Sequence, residues 1–252
     1  KALAFTRNPS DTDVSPATYT ATGASDLVIS DQQRDIAVDG SDDGDVIRIN
    51  ADALAASALY DYDVRGFAGK DNINVFAALI QDSTFNGNIG DDAITVTGAS
   101  LNGSFVLGGK DNDTINVFQV SDGEINGNLG NDIITVDAFG FAESFNASIR
   151  GGQGQDQIKV EGGTYENSSI FGDKGRDSIV LDAGTYSGTS VFGGEDNDTI
   201  VVNVGEAAKG LVLEGNKGND NIFAAGTLGA TVYGGNGTDT IATGALIAGE
   251  KT

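Results

Sequence analysis

Ten aspartates recur along this chain about every 21 residues, each closing a short glycine turn and each followed two residues later by isoleucine. The turn reads Gly-x-x-Gly-x-Asp-x-Ile-x-Val. Its cleanest copy is Gly151-Gly152-Gln153-Gly154-Gln155-Asp156-Gln157-Ile158-Lys159-Val160, and Gly234-Gly235-Asn236-Gly237-Thr238-Asp239-Thr240-Ile241 is close to it. The first glycines stand at positions 40, 66, 87, 108, 127, 151, 172, 193, 215 and 234. Glycine lets a backbone fold with positive φ, so that carbonyl oxygens converge, and aspartate adds a carboxylate. Hard divalent cations take such donors, and calcium accepts about six to eight oxygens in flexible geometry. The chemistry on offer is oxygen-ligand metal binding.

The elements that must position these turns are legible on either side of them. Isoleucine stands two residues after the aspartate in every copy, from Ile47 to Ile241. Four residues after it the column runs Ile49, Val75, Val96, Val117, Val136, Val160, Leu181, Val202, Ala224 and Thr243. Two residues before the first glycine it runs Val38, Val64, Phe85, Val106, Ile125, Ile149, Ile170, Val191, Leu213 and Val232. The residues between are mostly polar. Such period-2 alternation predicts strands, and β-branched side chains favour them. Helix is excluded because glycine interrupts every segment. Stacked coils would turn each column into an internal ladder, with parallel strands ~4.8 Å apart. The expected fold is all-β, a right-handed parallel β-solenoid of about ten to eleven coils of ~21 residues.

Each coil is expected to have a looser second turn, as in Gly162-Gly163-Thr164-Tyr165 and Ala183-Gly184-Thr185-Tyr186, with few acids and a role in shape. Longer coils carry extra residues around Ala51–Asp63 and Asp137–Ser144. Residues 1–21 have no clear period and read as an arm or linker. The solenoid is expected over 22–252: a degenerate first coil at 22–39, ten repeats at 40–243 and a short tail at 244–252.

Position two of the turn is Ser41, Phe67, Asn88, Gly109, Asn128, Gly152, Asp173, Gly194, Asn216 or Gly235. Most of these residues tolerate left-handed backbone, and Phe67 is the one that breaks the rule. Position four is Gly in seven copies and Asp in three. These turns resemble the calcium-binding RTX nonapeptide, Gly-Gly-x-Gly-x-Asp-x-apolar-x, of parallel β-rolls, a motif that is itself a named repeat signature. The resemblance covers about 200 residues, from Val38 to Thr243. It implies calcium as the cofactor, several ions held between successive turns by carbonyl oxygens and by the motif carboxylates of Asp45, Asp71, Asp92, Asp113, Asp132, Asp156, Asp177, Asp198, Asp220 and Asp239. Asp43, Asp111 and Asp196 at position four, and Gly151, Gly154, Gly172, Gly175, Gly193, Gly234 and Gly237, complete the candidate ligand set. The family's usual nine-residue period puts two calcium turns in each coil. One turn per ~21 residues here implies a single row of ions along one edge.

The formal charge is −23, from 37 acidic and 14 basic residues, and 17 of the acids lie in the ten short turns. Such clustering repels itself unless cations neutralise it, and it makes nucleic acid and anionic membrane poor partners. Metal-free stacking through Asn, Asp and backbone hydrogen bonds is the competing account, with Lys70, Lys110, Lys174, Arg176 and Lys217 as substitute cations. No apolar run is long enough to cross a bilayer. There is no Cys, so neither disulfides nor zinc–thiolate sites hold the fold. There is also no His, which removes Ser-His and Cys-His catalysis. A lyase or glycosidase would have to use Asp with Lys or Arg, and no coil stands apart in its polar residues. The expectation is a protein that is not an enzyme. A face for cell-surface polysaccharide would use Tyr165, Tyr186 and Phe192. With no Met in the chain, Lys1 is expected to follow processing or to belong to a longer protein.

The function this implies is an extracellular or cell-surface structural protein, self-assembling head to tail or in a lattice into a surface layer or filament. One alternative is the calcium-folding segment of a larger exported enzyme, toxin or adhesin. Another is a virion fibre or decoration protein.

Overall fold

The computed structural model describes residues 3–5, 17–20, 26–29, 34–50, 58–204, 208–225, 229–243 and 250–251. It is a right-handed parallel β-solenoid of about nine turns, with no helix among the described residues. The ten acidic turns bound nine complete turns of chain, and strands before the first of them carry the ladders further.

Three parallel ladders make the walls. The post-turn ladder contains Val46–Asn50, Asn72–Phe76, Ser178–Asp182, Thr199–Asn203, Asn221–Ala224 and Thr240–Thr243, with the leading parts of four longer strands between them. Its register places Ile47, Ile73, Ile94, Ile115, Ile134, Ile158, Ile179, Ile200, Ile222 and Ile241 one above another. The pre-turn ladder runs from Arg34–Asp39 through the trailing part of Ala58–Ala68, then Thr84–Ile89, Phe105–Lys110, Glu124–Leu129, Ser148–Gln153, Ser169–Lys174, Ser190–Glu195 and Val212–Lys217 to Thr231–Asn236. It aligns the column from Val38 to Val232 in the same way. Every member of the isoleucine and pre-glycine columns is buried except Ile241, which is partly so. Each fully buried Val, Ile or Leu contributes about 1.5–3 kcal/mol, so the core is a stack of equal small increments.

The third ladder was not expected. A short strand bridges the looser turn and the pre-turn strand, and it stacks Leu59, Ile80, Leu101 and Val120, then Ser144, Tyr165, Tyr186 and Ala208. A left-handed corner follows it, at Asp61, Asp82, Gly103, Asp122, Asn146, Asn167, Gly188 and Gly210, with φ between 48° and 70°. Ser83, Ser104 and Ser168 come next and are buried, and their hydroxyls accept backbone N–H bonds from the coil before. Tyr165 and Tyr186 stack inside the solenoid, rings 5.1 Å apart and 8° from parallel. Both are fully buried, which removes them from the sugar-binding face expected of them. Their alternation places them inward, with the apolar columns.

Residues 1–21 are not wholly an arm. Leu3–Phe5 pairs with Asp26–Ile29, and Ala17–Thr20 pairs with Arg34–Asp39, so both ladders extend beyond the first glycine motif. These short β-forming runs supply strand geometry without the turn residues. At the other end Glu250–Lys251 pairs with Thr231–Asn236. The extra residues at 51–57, together with 244–249, lie outside the described residues.

Candidate metal centre

The acidic turns lie on one edge, where the pre-turn strand passes into the post-turn strand. Position two takes positive φ in nine copies, between 73° and 124°, whether the residue is Gly, Asn, Asp or Phe67. Phe67 (φ 78°) therefore makes the same turn as Asn88 and Asp173, at the strain cost of a bulky residue in that region. The fourth residue also takes positive φ, from 78° to 145°, in the nine copies after the first. At Gly154 a Cβ would fall on the carbonyl oxygen of Gly130 in the coil before, so stacking excludes a side chain there.

These turns aim the aspartates inward. The motif aspartates from Asp45 to Asp220 are buried, and Asp239 is half-buried. From Asp71 onward each accepts, on Oδ1, the backbone N–H of the motif aspartate in the preceding coil. Asp45 N donates to Asp71 at 2.6 Å, Asp132 N to Asp156 at 2.8 Å and Asp220 N to Asp239 at 3.0 Å, with the same bond in every coil between. The ten residues are thus brought into a single row.

Their second oxygens divide the row. Asp45 Oδ2 accepts two bonds from Ser41, from its N–H at 2.6 Å and its hydroxyl at 2.9 Å. In the next eight coils, from Asp71 to Asp220, Oδ2 is buried with no hydrogen-bond partner. Each of these oxygens lies against the first glycine of its own turn, where a Cβ would overlap it, and the first-glycine carbonyl of the next coil approaches the same point. Gly151, Gly172 and Gly193 illustrate this with Asp156, Asp177 and Asp198, and Gly234 has Asp239 in the same place. The first glycine is thus required for the room it leaves.

Burial pushes the carboxyls of Asp71 and Asp132 up to about 6, those of Asp92, Asp156 and Asp198 up to about 7, and those of Asp113 and Asp177 up to about 8. Asp220 moves the same way. Loss of hydration is the largest cause throughout. The backbone bond to Oδ1 opposes it, and neighbouring carboxylates add to it in every coil but that of Asp132.

An unbonded buried carboxylate oxygen beside a backbone carbonyl is a hard-oxygen pair, and it fits calcium in kind. No group of three acidic side chains converges among the described residues, so carbonyls would have to supply most ligands. Asp43, Asp111 and Asp196 are exposed and occur in separate coils, so the structure does not bring them to the row. Position five missed notice in the sequence and carries an outer ladder. Asp91 Oδ1 accepts from Asn112 N, Asn112 from Asn131 N and Asn131 from Gln155 N, while Asn197 and Asn219 continue it to Thr238. Turn stacking by side-chain amides is therefore present as well. Comparison with protein-family models, curated proteins and solved structures gives no match, so any kinship rests on the turn residues themselves.

Proposed function

We propose that this chain is a calcium-stabilised structural β-solenoid of the RTX type, working outside the cell as a non-enzymatic building block of a surface layer or filament. The observation that carries this reading is the row of eight buried, unbonded Oδ2 atoms in a chain of charge −23. A buried carboxylate without a partner is costly and is normally paired or bound to a metal. Asp71, Asp92, Asp113, Asp132, Asp156, Asp177, Asp198 and Asp220, with neighbouring glycine carbonyls, would hold the ions. Calcium there would supply the positive charge that the row lacks. Extracellular calcium modules bind at about 10⁻⁴–10⁻³ M, so the chain would fold on reaching calcium-rich surroundings.

Head-to-tail assembly would continue the parallel ladders of one copy into the next. Circular dichroism of calcium-stripped protein at pH 8, titrated with calcium, tests the metal reading: a β signal should appear over the millimolar range. A full signal before calcium is added would overturn it. Light scattering of the calcium-loaded protein tests assembly, and a strict monomer at high concentration would remove that part.

A further inference from the structure

The outer face of the pre-turn ladder carries a groove of about 1140 Å³ that no part of the proposed calcium row uses. It crosses eight strands, from Thr84–Ile89 to Thr231–Asn236, which at the parallel-strand spacing is about 34 Å along the solenoid axis. Its floor is the position-two row. There Gly109, Gly152, Gly194 and Gly235 alternate with Asn128, Asp173 and Asn216. The floor therefore dips in every second coil, a period of about 9.6 Å.

On one side of this floor stand Phe171 and Phe192, half-buried, their rings stacked 5.1 Å apart and 13° from parallel. Arg150 lies 4.3 Å from the Phe171 ring centroid and bonds Asp173, which holds that end of the aromatic platform in place. Amides stand beside it: Asn126 and Asn128 are fixed by bonds to Glu124 and to each other's backbone. The lining contains three lysines (Lys110, Lys174, Lys217) and three acids (Asp173, Glu195, Glu214), so it carries no net charge in a molecule of −23.

We propose that this groove binds a linear, uncharged polysaccharide laid along the solenoid axis. A long open channel suits a polymer. Ring faces stack on the apolar faces of sugars, and fixed amides donate to and accept from hydroxyls. The two-coil period of the floor suits a chain built of disaccharide units. The balanced lining gives no attraction to a polyanion, and the acidic body repels one. Phe192, which the sequence had suggested, is joined by Phe171 in place of the two tyrosines.

The test is affinity electrophoresis and calorimetry in saturating calcium, with hydroxyethylcellulose, a soluble β-1,3-glucan and galactomannan as neutral probes and alginate as the anionic one. At least one neutral probe should retard the protein. Phe171→Ser and Phe192→Ser should each weaken binding roughly tenfold or more, as loss of a central aromatic contact does. Circular dichroism and calcium midpoint should stay those of the parent, which separates failure of the groove from failure of the calcium row. Asn126→Ala, at a half-buried amide two coils from Phe171 and outside the acidic turn, supplies a second test of the same groove. Absence of retardation by all three neutral probes would overturn the proposal. So would binding of alginate alone, or binding that survives all three substitutions.

Discussion

The aspartate row makes a sharp prediction for Asp156→Asn in calcium-free protein. Asp156 accepts the Asp132 N–H on Oδ1 and has no partner on Oδ2. Asparagine keeps the acceptor, removes the charge and places an NH₂ beside the Gly172 carbonyl that approaches the same point. The Asp156 carboxyl stands at about 7 in the folded chain against 3.8, so its ionised form costs about 4 kcal/mol once the pH exceeds 7. A raised carboxyl contributes stability that is fully present below pH ~4 and is lost as pH rises through its folded value. The seven carboxyls at about 6, 7 or 8 together hold about three to four more protons at pH 7 than the unfolded chain does, so stability falls there by about 5 kcal/mol per pH unit. Calcium-free protein should therefore fold near pH 5 and lose its β signal between pH 6 and 8. Asp156→Asn should raise that midpoint by about 0.8 of a pH unit, the ratio of those two energies. Asp156→Ala also removes the charge but orphans the Asp132 N–H, which returns about 1–3 kcal/mol and makes the shift smaller or absent. Far-UV circular dichroism against pH in calcium-stripped buffer reads all three. A midpoint that stays put or falls in Asp156→Asn would refute the buried-charge argument. In calcium the order should reverse, with Asp156→Asn needing more calcium than the parent.

Gly154→Ala should cost about 3 kcal/mol or more, because φ is 145° and the new Cβ meets Gly130, whereas Gly210→Ala, at φ 70° with only ordinary contacts to Gly188, should cost about 1 kcal/mol; urea unfolding in calcium compares them. Phe67→Asn should stabilise by about 1 kcal/mol, since Phe67 is 39% exposed and asparagine occupies the same turn position at Asn88 and Asn128; an unchanged or lower urea midpoint would argue against strain there. Tyr186→Ala should cost about 3–5 kcal/mol and loosen its own coil and the two beside it, with distant coils untouched; hydrogen exchange by mass spectrometry resolves this, and uniform loss of protection would contradict nearest-neighbour stability.

The two long ladders were legible because their columns repeat in register with the glycine motif: Ile158 and Ile149 keep fixed offsets from Gly151 in every copy. The bridging ladder was not. Its inward residue changes from Leu101 to Ser144 to Tyr165, and its corner residue from Asp82 to Gly103 to Asn146, so no single residue type marks it. The column of Asp, Asn or Gly, followed in four of its eight copies by a buried Ser or Thr, is the signal that could have found it. The aspartates were legible as one row because one turn per coil allows only one edge. Their inward aim was not, because a repeated Asp reads equally as a solvent-facing ligand. Only the contact between Oδ2 and the first glycine shows that the carboxylate fills space left by a missing side chain. Tyr165 and Tyr186 were misplaced for a similar reason: only three residues pair in this part of the bridging ladder, so the alternation around each tyrosine is too brief to fix inside from outside.

The hydrogen bonds of the aspartate row all run the same way, from the N–H of one coil to the carboxylate of its successor. The two faces of any coil are therefore unlike, one offering a carboxylate acceptor and the other an N–H donor. A break anywhere in the row leaves one of each unmet, and only coils stacked in the same sense can satisfy both.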